Sequence, residues 1–111
     1  MKVLIIGSTQ YQKQIADHKR QLEEGEHEVL IPAFDSTSLN ELEVCLHNRQ
    51  LIIEADEVHV IWDCRSFGTI FDFGMTFALQ KPFKIIYLEP KTFMGVMKRY
   101  EELCKLGLAN D

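Results

Sequence analysis

The stretch Val3-Leu4-Ile5-Ile6-Gly7-Ser8-Thr9 decides the architecture. Its apolar residues are continuous rather than alternating with polar ones. A run of that kind suits a strand buried on both faces, and such strands belong to parallel sheets with helices on either side. Immediately after it, Tyr11, Ile15, His18 and Leu22 recur at helical spacing and predict a helix that Gly25 ends.

The same alternation continues outward. Val29-Leu30-Ile31 before Pro32 predicts a short strand near an edge, and Ala33 to Ser38 a loop. Leu39, Leu42, Leu46 and Ile53 define a helical stripe, with Ser38 or Asn40 as cap. Val58 to Trp62 reads as a third strand and Asp63 to Gly68 as the loop after it. Thr69 to Gln80 predicts a helix that is apolar nearly all round, through Ile70, Phe71, Met75, Phe77, Ala78 and Leu79, and Lys81-Pro82 ends it. Ile85 to Leu88 is a fourth strand closed by Glu89-Pro90. Phe93, Val96, Met97, Tyr100 and Cys104 form a last stripe, capped by Gly107. Strands alternating with helices require right-handed crossovers. The expected architecture is a single α/β domain over residues 1–111. It is a flavodoxin-like doubly wound parallel sheet of order 2-1-3-4 in three layers, α/β/α.

Composition narrows the function classes. With 12 Lys and Arg against 17 Asp and Glu, the net charge of -5 argues against nucleic-acid binding, which needs clustered cations. No apolar run approaches the roughly 18 residues of a membrane span. Met1 to Ile6 is too short for a signal peptide. Cys45, Cys64 and Cys104 are odd in number and lack metal-type spacing. A reduced cytoplasmic setting without a cofactor is expected. The all-round apolar third helix needs a second surface to cover it, most simply a copy of the chain, so a homodimer or higher oligomer is expected.

In open parallel sheets, ligands bind beyond the carboxyl ends of the strands where the winding reverses. For order 2-1-3-4 that point lies between the first and third strands. The loops meeting there are Gly7 to Tyr11 and Asp63 to Thr69. Each leads into a helix N-terminus, whose free N–H groups suit an anion. Gly7-Ser8-Thr9-Gln10 does not continue into a phosphate-binding Gly-Lys-Ser/Thr, and no G-x-G-x-x-G follows the first strand.

Residues 55–82 resemble the nucleoside 2-deoxyribosyltransferase family. That family reads Ala-Asp, an apolar strand, an acidic loop, then Gly-Thr-x-x-Glu-x-Gly-x-Ala and Gly-Lys-Pro. Here Ala55-Asp56 precedes the strand, Asp63 closes it, Gly68-Thr69 opens the helix, and Gly74, Ala78 and Lys81-Pro82 follow. Ser66-x-Gly68 and Gly7-Ser8-Thr9 also resemble the related 2′-deoxynucleoside 5′-phosphate N-hydrolases, whose similar Ser and Gly residues hold the 5′-phosphate.

The resemblance implies cleavage or transfer at an N-glycosidic bond of a nucleoside or nucleotide. It assigns the carboxylate beneath the sugar to Asp72, where the family carries Glu. Asp63 is the candidate for contact with base or sugar. Tyr11 is a candidate to line the pocket, and Gly7, Ser8, Thr9, Ser66, Gly68 and Thr69 to hold phosphate or hydroxyl groups. The chain is shorter than typical members, so a final strand and helix are expected to be missing. In the family, residues near the C-terminus often help complete a neighbour's site.

Each assignment has a structural alternative. Asp72, three residues after Thr69, also suits a first-turn acid in a near capping box. Asp63 also suits the start of a turn, and Gly7-Ser8-Thr9 a capped strand-to-helix connection. Tyr11 lies on an apolar stripe. Cys64, beside Arg65, reads as an incidental thiol, and His59 as a core or edge histidine. Asp35 and Glu89, at carboxyl ends of strands, are rim charges or a substitute acid.

Overall fold

The structure is a computed structural model describing residues 1–32, 38–63, 65–87 and 92–107. Strand β1 (Lys2–Gly7) leads through a 3-10 turn (Thr9–Tyr11) into α1 (Gln12–Glu24) and β2 (Glu28–Leu30). Then come α2 (Glu41–Glu54), β3 (Glu57–Trp62), α3 (Phe67–Ala78), β4 (Phe83–Tyr87) and α4 (Phe93–Lys105). The four strands form one parallel sheet of order β2-β1-β3-β4, as the alternation of elements requires. Most of the expected 33–38 loop, Asp35, Cys64 and Leu88-Glu89-Pro90 lie outside the described residues.

Alternation along the central strands divides the core in two. Leu4, Ile6, Val58 and Val60 face α2 and α3, packing with Ile52, Ala55, Trp62, Met75 and Phe83. Ile5 and Ile61 face α1 and pack with Ile15, Leu22, Val29 and Ile86. His59, also almost fully buried, lies 2.8 Å from His18 of α1, Nδ1 to Nε2.

Two residues of the 55–82 motif tie the sheet together. Asp56 accepts the Lys2 backbone N–H at 2.7 Å and returns its own N–H to the Lys2 carbonyl at 2.8 Å, which sets the start of β3 against β1. The Lys81 ammonium donates to the carbonyls of Ile53 and Ala55 at 2.9 and 2.8 Å. A cation there satisfies carbonyls at the negative end of α2.

Several expectations need correction. Helix α3 starts at Phe67, not Thr69, because Ser66 is its N-cap: Ser66 Oγ accepts the Thr69 N–H at 3.2 Å. Asp72 therefore sits in the second turn, out of capping reach. The helix ends at Ala78, and β4 begins two residues earlier than the apolar run suggested. In α2, Asn40 is the cap, its Oδ1 accepting the Glu43 N–H at 2.8 Å. The stripe of Leu42, Leu46 and Ile53 faces outward, and Asn48 and Ile52 are buried instead. A buried asparagine at the centre of the inward face hid that face from an apolar count. Gly25 does end α1, as its C-cap, and the left-handed conformation falls on Glu26 (φ 68°) after it.

Candidate active site

The carboxyl ends of β1 and β3 open into a cavity of about 300 Å³. Gly7, Ser8 and Thr9 form its β1 side, and Ser66, Gly68, Thr69 and Asp72 its α3 side. Pro32, Val44, Cys45, Asn48 and Phe71 also line it. A strand order that reverses its winding at β1 places these segments together, and α2, crossing over β1 to reach β3, roofs the gap.

The two serines are caps whose oxygens face the same space. Ser8 Oγ accepts the Gln10 N–H at 3.3 Å. Ser66 Oγ accepts both the Thr69 N–H and the Thr69 hydroxyl, the latter at 2.9 Å. With Thr69 donating, the Ser66 hydroxyl hydrogen is left to point elsewhere. The first-turn N–H groups of Phe67 and Gly68 have no intrahelical acceptor.

The glycines differ in what demands them. A Cβ on Gly7 would lie 3.2 Å from the Ile61 carbonyl oxygen, so a side chain there would need the β3 backbone to give by a few tenths of an ångström. A Cβ on Gly68 would meet only Ser66 Oγ, at 3.9 Å. Protein packing does not require glycine there, and its bare backbone leaves the helix N-terminus open.

Among the described residues Asp72 is the only acid of the lining. Among the described residues no donor or cation meets its carboxyl, and desolvation by burial raises its pKa to about 6. Its backbone carbonyl accepts the Thr76 hydroxyl at 2.8 Å.

Asp63 and Tyr11 are not among the cavity's lining residues. Asp63 is 2% exposed, with Oδ2 accepting the Tyr11 hydroxyl at 2.7 Å and Oδ1 accepting the Arg65 N–H at 2.9 Å. Burial acts to raise its pKa, but these hydrogen bonds overcome that and hold the carboxyl below its usual value. The same bond raises the Tyr11 hydroxyl above its usual value. An ionised carboxylate with both oxygens engaged is satisfied where it stands. The pair ties the β1 loop to the β3 loop.

Sequence reasoning missed the α2 contribution, Val44, Cys45 and Asn48. Topology carried the signal: the helix bridging β2 and β3 must pass over the switch point. Among the described residues no group of three His, Cys, Asp or Glu side chains is arranged to hold a metal ion. No described helix is long and apolar enough to cross a membrane.

No known family model matches this chain, and no curated protein sequence does. Solved structures do. The 2-deoxyribosyltransferase of the psychrotolerant bacterium Bacillus psychrosaccharolyticus matches with a TM-score of 0.67 at 16% identity, over 83% of this chain and 76% of that one. A CMP N-glycosidase of Clostridium botulinum matches with a TM-score of 0.60 at 22% identity, over 83% of this chain and 73% of that one. The chain thus has the flavodoxin-like α/β fold of a 2-deoxyribosyltransferase and a CMP N-glycosidase, the fold that its 55–82 motif leads one to expect.

Proposed function

We propose that this chain is an N-glycosidic bond enzyme acting on a nucleoside or nucleotide. It passes the sugar to water or to a second base, with Asp72 as the carboxylate beneath the sugar. The observation that carries this reading is the Asp72 carboxyl, without a partner among the described residues, in a cavity of about 300 Å³ that is also lined by Ser8, Thr9, Ser66 and Gly68. That volume is at the small end of ligand pockets and suits a sugar with one attached group.

Breaking an N-glycosidic bond builds positive charge on the ribosyl ring. A carboxylate close below the anomeric carbon stabilises that charge or attacks covalently. With a pKa of about 6, Asp72 is mostly ionised at neutral pH yet poorly solvated, which favours both roles. The Ser66 hydroxyl, the Gly68 N–H, Ser8 and Thr9 supply donors for sugar hydroxyls or a 5′-phosphate at the α3 N-terminus, and Thr69 holds the Ser66 oxygen in place. Tyr11 and Asp63 act as positioning residues, holding the two loops at their separation. The reaction needs no cofactor. The proposed setting is a single cytoplasmic domain assembled as a homo-oligomer.

A second reading follows from one atom group. Asp is a methylene shorter than the family's Glu, and attack needs a reacting distance of about 3 to 3.5 Å. A carboxylate that stops short leaves a nucleotide-binding or interaction module without turnover.

The experiment is incubation with a panel of deoxynucleosides and their 5′-monophosphates, assayed for free base, with nucleotide thermal shifts in parallel. Base release that Asp72→Ala abolishes supports the enzyme. Release unaffected by Asp72→Ala removes Asp72 from the mechanism. Thermal shift without release favours the binding module, and neither signal sinks both readings.

A further inference from the structure

One chain carries two apolar surfaces that nothing else among its described residues covers. The first is a groove of about 180 Å³ between α3 and the edge strand, walled by Trp62, Ile70, Phe73, Phe83 and Ile85. Ile85, on the outer strand of a sheet, is 58% exposed, and Ile70 is about half exposed. The second is α4. Phe93, Val96, Met97, Tyr100 and Leu103 recur at helical spacing along one side, and Met97 is 64% exposed. The polar side carries Lys98, Glu101, Glu102 and Lys105, with a Lys105–Glu101 ion pair at 3.0 Å.

An isolated amphipathic helix of 13 residues is marginal in water. Its stability must come from packing that stripe against something apolar. Among the described residues it does not. Only Gly95 of α4 is buried, and the molecule extends 57 × 32 × 26 Å. Its radius of gyration is 17.5 Å, against roughly 13 Å for a compact domain of this size.

From this complementarity we infer that two copies of the chain exchange α4 reciprocally. The helix of each seats its Phe93–Leu103 stripe in the partner's groove between α3 and β4. Both surfaces belong to every chain, so a two-fold arrangement satisfies both at once and closes the assembly. Covering two stripes and two grooves removes on the order of 2,000 Å² from water, within the range of stable dimers. The exchange also covers the open edge of the sheet at β4. Thr69 lines both this groove and the Asp72 cavity, so the partner's helix docks beside the candidate active site. The inference rests on the homo-oligomer proposed above and specifies its contact.

The test is sedimentation velocity of the full chain at about 50 µM, with Met97→Asp in the helix stripe and Ile70→Asp in the groove. Circular dichroism checks that each variant keeps its helix. Ile85→Asp replaces Ile70→Asp if the latter unfolds. The expected result is a wild-type dimer that each substitution weakens at least about 10-fold. An equimolar mixture of the two variants associates more tightly than either alone. Only the mixed dimer pairs an intact helix with an intact groove, which neither docking within one chain nor another interface reproduces. A monomeric wild type overturns both the oligomer and the exchange. A dimer indifferent to Met97→Asp, or a mixture no tighter than its components, keeps the oligomer and overturns the exchange.

Discussion

The Tyr11 hydroxyl donates to Asp63 Oδ2 at 2.7 Å, joining the loop after β1 to the loop after β3 across 52 residues of sequence. Gly7 to Thr9 and Ser66 to Asp72, the two sides of the cavity, hang from these loops. Removing the hydroxyl leaves a buried carboxylate oxygen without its donor, which costs about 2 kcal/mol. Tyr11→Phe is expected to lower the urea midpoint accordingly. It weakens nucleotide binding or base release without abolishing either. Urea unfolding together with the base-release assay checks both effects, and an unchanged midpoint denies the bond its role.

Asp72 is expected to trade stability for function. Its folded pKa, about 6, lies above the unfolded value near 3.9, so between these pH values the folded state binds the extra proton. The carboxyl is therefore tolerated at low pH, and it destabilises the fold increasingly as pH rises through 4 to 6. Asp72→Asn removes the charge and is expected to stabilise the protein by about 2 kcal/mol at pH 8, with little effect at pH 4. Thermal melts at the two pH values decide this. Equal gains at both would mean that the ionised carboxyl is not what costs stability.

Activity should follow the same ionisation. Base release that uses the Asp72 carboxylate rises with pH through about 6 and levels above it. Asp72→Glu restores the missing methylene. A rate gain of 10-fold or more in that variant is expected if reach limits turnover. A flat pH profile around 6 would assign the ionisable group elsewhere.

The buried His59 pairs with the half-buried His18 on the α1 face, and desolvation lowers both pKa values. Lys84 adds to the effect on both, and Glu57 opposes it at His59 from 3.6 Å. The unfolded chain takes up protons near pH 6.5, where the folded pair resists them. Stability is therefore full above that value and is lost as pH falls through it toward the lowered folded values. The urea midpoint of the wild type is expected to fall between pH 7.5 and 5. His18→Gln should flatten the fall, and a variant with an undiminished slope would show that another group is responsible.

Lys81 tests which part of the 55–82 motif belongs to the fold. Lys81→Met leaves the Ile53 and Ala55 carbonyls without their cation and is expected to cost about 1 to 2 kcal/mol. Base release per folded molecule should stay as it was. A selective loss of activity at unchanged stability would move Lys81 into the site.

The continuous run Val3 to Ile6 and the regular alternation of strands and helices determined by themselves the parallel sheet, its order and the end at which a site must open. Those are consequences of periodicity and handedness, and both are local properties of the chain. Tertiary structure alone decided what each acid does. Asp63 and Asp72 are the same residue type nine positions apart, yet among the described residues one has both oxygens bonded and the other has neither. The difference arises from Tyr11, brought in by the β1–β3 pairing, and from the burial of Asp72 in a cavity that α2 also lines. No pattern along the chain records those distances. The same holds for the buried face of α2 and the stripe of α4: spacing identifies an apolar side, and only packing shows whether it has found a partner.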